Sequence, residues 1–258
     1  MTEMQLSMST ILANLAEWNA SLSMTSAELR PLLLACVMMS SNCPKLLVPL
    51  VQNALADIAS GALEISVEGG PSAAASSSPD QKTLQAQVHF IRRLREALFK
   101  GSVLCGGPYT INALGAVSMS LDPDLVAAVN HLGPVRTAKS RLAPQEYEDR
   151  GRVLFHQIYR HHADPVLERI GGSSPDLVQS ILSDSYGRVL SDTTLLSIPE
   201  SELAVAATLV PLNVPPQLKS HVYGSRNVGV PMEQVQQLVS VAETVTRWIR
   251  ANPEKSAL

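Results

Sequence analysis

Between Glu202 and Gly229 the chain reads E-x11-V-x2-Q-x3-H, with Glu202, Val214, Gln217 and His221 in the marked positions, followed by Gly224, Ser225, Asn227 and Gly229. An imidazole takes or gives a proton near neutral pH, and a carboxylate beside it fixes the ring tautomer. A glutamate and a histidine held together therefore suit general acid/base work. Gln217 lies one helical turn before His221 and Ser225 one turn after, so the three share a face from which amide and hydroxyl could bind an oxyanion. Gly224 lets a neighbouring helix or a substrate come close. Plainer readings exist for both central residues. His221 would also serve as a satisfied structural histidine, and Glu202 follows Glu200 in a first helical turn, where the helix dipole favours a carboxylate in any case.

Other reactive side chains point less clearly to a site. Tyr159 and Tyr186 are candidates either for the wall of a substrate pocket or for core. His156, His161, His162, Asp164 and Glu168 cluster in sequence, but His161 and His162 are adjacent and face different ways. No H-E-x-x-H or paired Glu-x-x-His pattern accompanies them, so no metal site is expected. Cys36, Cys43 and Cys105 form no C-x-x-C pair and are odd in number, which suits reduced, buried thiols rather than a disulfide framework. Gly69-Gly70, Gly106-Gly107 and Gly171-Gly172 lack the context of a phosphate loop and read as turns.

The elements that must position these residues are helices. Aromatic residues make up only 4% of the chain while Ala, Leu, Val and Ser dominate, so the expected fold class is all-α. Periodicity and breakers predict helices over Glu3–Ala20, Glu28–Ser40, Pro44–Ser60, Gln81–Lys100, Pro108–Met119, Pro123–Leu132, Pro144–His162, Pro165–Ile170, Pro175–Tyr186, Pro199–Val210, Pro216–Val228 and Pro231–Asn252. Thr25-x-x-Glu28 and Ser197-x-x-Glu200 read as capping boxes. Pro44, Pro123, Pro175 and Pro231 fit first helical turns, where a missing N–H costs nothing. Residues 66–80 are a low-complexity Ser-rich stretch expected to form a mobile loop.

An internal repeat runs through the chain. Cys43-Pro44, then Arg95-Glu96, then Gly107-Pro108, then Leu121-Asp122-Pro123 recur in the same order as Ser174-Pro175, Ser201-Glu202, Pro215-Pro216 and Val230-Pro231. One domain, 1–258, is therefore expected, built from two pseudo-equivalent halves over 25–135 and 144–252. Glu96 corresponds to Glu202. The same offset sets Gly115 against His221, so the first half keeps the glutamate without a histidine.

A net charge of −3 gives no electrostatic footprint for nucleic acid or an anionic membrane, and neither is expected as a partner. The longest apolar run, Pro31 to Met39, is too short to cross a bilayer. No signal or transit peptide is visible after acidic Glu3. The terminal Ser256-Ala257-Leu258 resembles the peroxisomal S-K-L address without its basic middle residue, so an import receptor is a candidate partner and the peroxisome a candidate location, with the cytosol otherwise.

The stretch from Gly151 to Val239, GRVLFHQIYRHHADPVLERI, SPDLVQSILSDSYGRVLSDTTLLS and ESELAVAATLVPLNVPPQLKSHVYGSRNVGVPMEQVQQLV, resembles the carboxymuconolactone decarboxylase-like superfamily. REALFKGSVLCGGPYTINALGAV resembles it more faintly. In the alkylhydroperoxidase D branch the pattern is E-x11-C-x2-C-x3-H, and Val214 and Gln217 stand where the two cysteines would be. The resemblance implies the alkylhydroperoxidase D-like helical fold, a pocket lined by the histidine-bearing helix, and trimers or hexamers. Thiol-dependent peroxide reduction needs both cysteines. What remains implied is cofactor-independent, decarboxylase-like acid/base chemistry on a small carboxylate or lactone, with His221 as base and acid and Glu202 orienting it. Gln217, Ser225, Tyr186 and Tyr159 are then the substrate-binding candidates. The alternative is a catalytically silent homo-oligomer that keeps the fold for binding or assembly. For it, Val235, Leu238, Val241, Ala242, Val245, Trp248 and Ile249 form an apolar stripe suited to core or to a subunit interface.

Overall fold

Two helices that are apolar on every side form the centre of the molecule. The computed structural model describes residues 3–65, 78–137 and 141–253, with side chains from residue 9 onward. These residues form α1 (Glu3–Ser21), α2 (Leu29–Ser40), α3 (Pro44–Ser60), α4 (Pro79–Cys105), α5 (Gly107–Met119), α6 (Pro123–His131), α7 (Pro144–Tyr159), α8 (Ala163–Ser173), α9 (Pro175–Gln179), α10 (Ile198–Leu212), α11 (Pro215–Asn227) and α12 (Met232–Ala251). No strand occurs among the described residues; the class is all-α. α2 carries Pro31–Met39, too short for a membrane and here buried from end to end. It packs against α10, whose Ser201–Leu209 run is also wholly buried, as expected of helices hydrophobic all round.

Two apolar clusters meet at α10. Leu203, Ala204, Ala206 and Ala207 face a large cluster with α2, α3, α4 and α12, while Val205 and Leu209 face a smaller one with Leu154, Phe155, Ile158, Leu182 and Tyr186. The stripe of α12 is core, not a free face: Val235, Leu238, Ala242, Val245 and Ile249 are buried within the chain, and Trp248 meets Trp18 edge-on at 5.5 Å.

Several local expectations change. Ser78 caps α4 by accepting from the Gln81 amide at 3.3 Å, so α4 begins at Pro79 and extends to Cys105, past both expected ends. Residues 66–77 of the expected loop lie outside the described residues, and its last three belong to this helix start. The Thr25-x-x-Glu28 box does not form. Glu28 instead pairs with Arg93 of α4, and the Thr25 hydroxyl accepts from Gln234 at 3.3 Å. Pro231 precedes α12 rather than opening it. Arg160, at φ +52°, ends α7 at Tyr159, three residues before the expected limit, and a short 3-10 turn, Arg160–His162, follows.

The largest departure is after α9, where Ser180–Leu190 forms a π-helix. Ser191 N–H donates to the Tyr186 carbonyl at 2.9 Å, the wide i to i+5 bond of that geometry. The π segment lies backbone to backbone against α7. A Cβ on Gly151 would stand 1.8 Å from the Leu182 carbonyl oxygen, and one on Gly187 would stand 1.9 Å from that of Tyr147. Two glycines therefore permit the contact, and the widened turn carries Tyr186 inward.

Burial also revises the repeat. α5 buries Thr110, Ala113, Ala116 and Val117, and α11 buries His221, Gly224 and Ser225. These patterns superpose with Ala113, not exposed Gly115, opposite His221. The link from α4 to α5 is Gly106 alone, whereas Asn213-Val214 join α10 to α11. α10 also runs one residue further past Glu202 than α4 runs past Glu96, and together the two extra residues break the constant offset.

Candidate active site

Ser197 opens α10 with the expected capping box: the Glu200 carboxylate accepts from the Ser197 amide at 2.8 Å and the Ser197 hydroxyl accepts from the Glu200 amide at 3.4 Å. That start sets the rotation of α10 and turns Glu202 inward, where it is 2% exposed. Asn213, at φ +55°, ends α10. Pro215-Pro216 then start α11, which packs against α10, and His221 falls on its buried face at 4% exposure. His221 Nδ1 and Glu202 Oε2 are 3.0 Å apart. Gly224, one turn on, makes this possible: a Cβ there would stand 2.6 Å from Ile158 Cγ2 and 3.0 Å from Glu202 Oε2.

The carboxylate can only accept, so Nδ1 carries the hydrogen and the Nε2 lone pair is left for a second partner. That partner is Tyr186, whose hydroxyl lies 3.5 Å from Nε2. The Tyr159 phenol lies close enough to Tyr186 for each to shift the other's titration. Tyr159 stacks on Phe155 at 4.2 Å and stands edge-on to the imidazole at 6.0 Å. Burial pushes the Tyr186 phenol well above its ordinary range, and raises Tyr159 as well. Both phenols are protonated at neutral pH, so each can pass a proton along while remaining neutral overall.

Beside these tyrosines is a cavity of about 570 Å³, lined by Tyr159, Val166, Lys219, Ser220, Tyr223 and Asn227 among others. Tyr159 stands between this cavity and the ring. The four carried-over residues thus divide. Tyr159 and Tyr186 contact the imidazole system. Gln217 is exposed on the first turn of α11, because the helix tilts into the core as it proceeds, and it shares no environment with the ring. Ser225 is fully buried, and its hydroxyl donates to the His221 carbonyl at 2.8 Å, so its proton is committed to backbone and is not a donor for an oxyanion.

His156 of α7 and His161 and His162 of the following turn do not converge. His156 Nε2 meets Asp164 Oδ1 at 3.3 Å, and the His161 and His162 rings lie side by side 3.9 Å apart. Among the described residues no three His, Cys, Asp or Glu side chains gather as a metal site requires. Cys36 and Cys43 are buried and Cys105 is half-buried, and none of the three forms a disulfide. Burial raises Cys36 to about 12 and Cys105 above its ordinary value, which keeps both as weakly nucleophilic thiols.

In the first half, the counterpart carboxylate has another partner. Glu96, 4% exposed, takes a bidentate pair from Arg136 at 2.6 and 2.9 Å. Lys100 lies 4.0 Å away, its ammonium donating to the carbonyls of Leu190 and Asp192 and to the Ser201 hydroxyl. Sequence reasoning did not find Arg136, because it lies in the connection after α6 and reaches Glu96 only through the fold.

Comparison with known proteins adds a family. A Schizosaccharomyces pombe protein named Peroxisomal protein 2 is 34% identical over 155 residues, which cover 60% of this chain and 69% of that protein. The chain belongs to the Peroxisomal protein 2 family. A Saccharomyces cerevisiae protein of the same name is 27% identical over 182 residues, 63% of each chain. No family model matches this member of the Peroxisomal protein 2 family, and no solved structure does.

Proposed function

We propose that this chain is a peroxisomal, cofactor-independent acid/base enzyme of the carboxymuconolactone decarboxylase-like kind, acting on a small carboxylate or lactone. The observation that carries the reading is the buried His221–Glu202 pair at 3.0 Å. Its second nitrogen faces the Tyr186 hydroxyl at 3.5 Å, and the neighbouring Tyr159 lines a cavity. His221 Nε2 takes a proton and later returns it, Tyr186 and Tyr159 conduct it to the cavity, and Glu202 holds the ring and stabilises the imidazolium. Lys219, on the cavity wall, would hold a substrate carboxylate. Trimers or hexamers of the alkylhydroperoxidase D-like fold belong to the same reading. The names of the relatives support the peroxisome, with Ser256-Ala257-Leu258, outside the described residues, as the segment offered to the import receptor.

A metabolite screen comparing the wild type with His221→Ala and Tyr159→Phe tests the enzyme. Turnover should fall by roughly 10²–10⁴-fold in His221→Ala with helical content retained. Full turnover in that variant overturns the assignment. One observation favours a second reading, a silent homo-oligomer used for binding or assembly: the imidazole is 4% exposed and is not among the residues that line the 570 Å³ cavity. Under that reading no metabolite is turned over by the wild type, and His221→Ala changes only stability.

A further inference from the structure

The cavity beside Glu96 has properties that the His221 site does not use. It encloses about 680 Å³ between α4, α5, α6 and the connection to α7, a volume that suits a drug-sized ligand. Phe99, Leu114, Val129 and Leu195 make its walls largely apolar, and Arg92, Arg95 and Arg136 supply its charge. The single carboxylate on the wall, Glu96, is already taken by Arg136, which also donates to the Arg188 and Val189 carbonyls and packs over the Phe99 ring at 4.8 Å. Arg92 and Arg95 are half-buried. Among the described residues neither has a carboxylate partner; Arg95 makes a hydrogen bond to Asn130 Oδ1 at 3.1 Å and Arg92 makes none.

Two uncompensated guanidinium groups thus face an apolar hollow in a chain whose net charge is −3. Partly desolvated cations without counter-charges are unfavourable, and an anion between them removes the penalty. A planar guanidinium matches a carboxylate in bidentate fashion. We propose that this cavity is a binding site for an organic carboxylate with an apolar body, its head between Arg92 and Arg95 and its body against Phe99, Leu114 and Val129. The site is independent of His221 and of any reaction there.

Calorimetric titration of the full chain with octanoate, 1-octanol and inorganic phosphate tests it. Octanoate should bind saturably at one site in the millimolar range or below. Octanol should bind at least about tenfold more weakly for want of the head group, and phosphate likewise for want of the body. Arg92→Gln and Arg95→Gln should each weaken octanoate several-fold at unchanged melting temperature, and Ser118→Trp, which fills the cavity without touching its charge, should abolish binding. No saturable octanoate binding, equal affinity for octanol, or full affinity in both arginine variants each overturns the proposal. Binding of phosphate as tight as octanoate would also overturn it, by making the site one for a bare anion.

Discussion

Replacing Gly151 by alanine tests the contact that sets the active-site tyrosine. The added methyl carbon would stand 1.8 Å from the Leu182 carbonyl oxygen and 2.8 Å from the Gly187 amide nitrogen. A carbon and a carbonyl oxygen settle at about 3.3 Å, so α7 and the π segment must part by roughly 1.5 Å. Both neighbours are backbone and cannot swing aside. Overpacking of this kind costs about 1–3 kcal/mol, here at the upper end, while alanine's better helix propensity returns about 1 kcal/mol. The net loss is about 2 kcal/mol, and for a chain of this size the melting temperature should fall by about 4–8 °C. Thermal unfolding followed by circular dichroism measures it. Gly172→Ala is the control, because its methyl meets nothing within 4 Å, and it should match or slightly exceed the wild type. The helix-propensity effect alone would stabilise both variants. A Gly151→Ala protein as stable as wild type would therefore refute the close approach and, with it, the placement of Tyr186 beside His221.

Three further outcomes follow from buried ionisable groups. Burial lowers Lys100 from 10.5 to about 8, with Glu96 opposing; between those values the unfolded chain holds a proton the native one has released. Stability therefore gains up to about 3 kcal/mol from this residue as pH rises through that window, and the urea-unfolding difference between wild type and Lys100→Met should change by that amount; a pH-independent difference would contradict it. Because Cys36 and Cys105 are held protonated by burial, a disulfide reagent at pH 8 should label the native protein more slowly than free cysteine and label all three thiols in denaturant, whereas one fast native thiol would revive peroxide chemistry. Glu202→Leu and His221→Leu should each cost about 3 kcal/mol by stranding a buried polar partner, and the double variant should cost less than their sum by about 1–3 kcal/mol; strict additivity in denaturant unfolding would mean that the pair is not formed.

What could be read in the sequence was what local chemistry decides. Ser197 caps α10 as its capping box predicts, and proline-led starts fall within a residue or two of their expected places, because an N-cap or a first-turn proline acts through bonds three residues away. The helical class followed from composition for the same reason. Features set by distant partners were not legible. Thr25-x-x-Glu28 has the residues of a cap, yet Arg93, far along the chain, competes for Glu28 and wins. The π segment answers to Gly151 and Gly187 lying against each other's helices, which no periodicity encodes. At the site, Glu202 and His221 were named through a spacing within adjacent helices. Gln217 and Ser225 were grouped with them on a correct helical face, but that face runs from solvent into core, which separates their roles.

The two glutamates show how a partner fixes what a buried carboxylate can do. Glu96 on α4 and Glu202 on α10 are both at or below 4% exposure, so each must be compensated. Glu96 is met by a guanidinium, which does not release its proton in a protein, and by the Lys100 ammonium at 4.0 Å; the result is a fixed ionic strut between α4 and the chain before α7. Glu202 is met by an imidazole, whose second nitrogen remains open to an exchangeable phenolic proton. Ala113 stands on the buried face of α5 as His221 does on that of α11, so α5 offers Glu96 no imidazole. The arginines of the first half are left facing a hollow instead. One buried carboxylate is thus compensated in two ways, by an imidazole from the neighbouring helix at Glu202 and by an arginine from the following connection at Glu96.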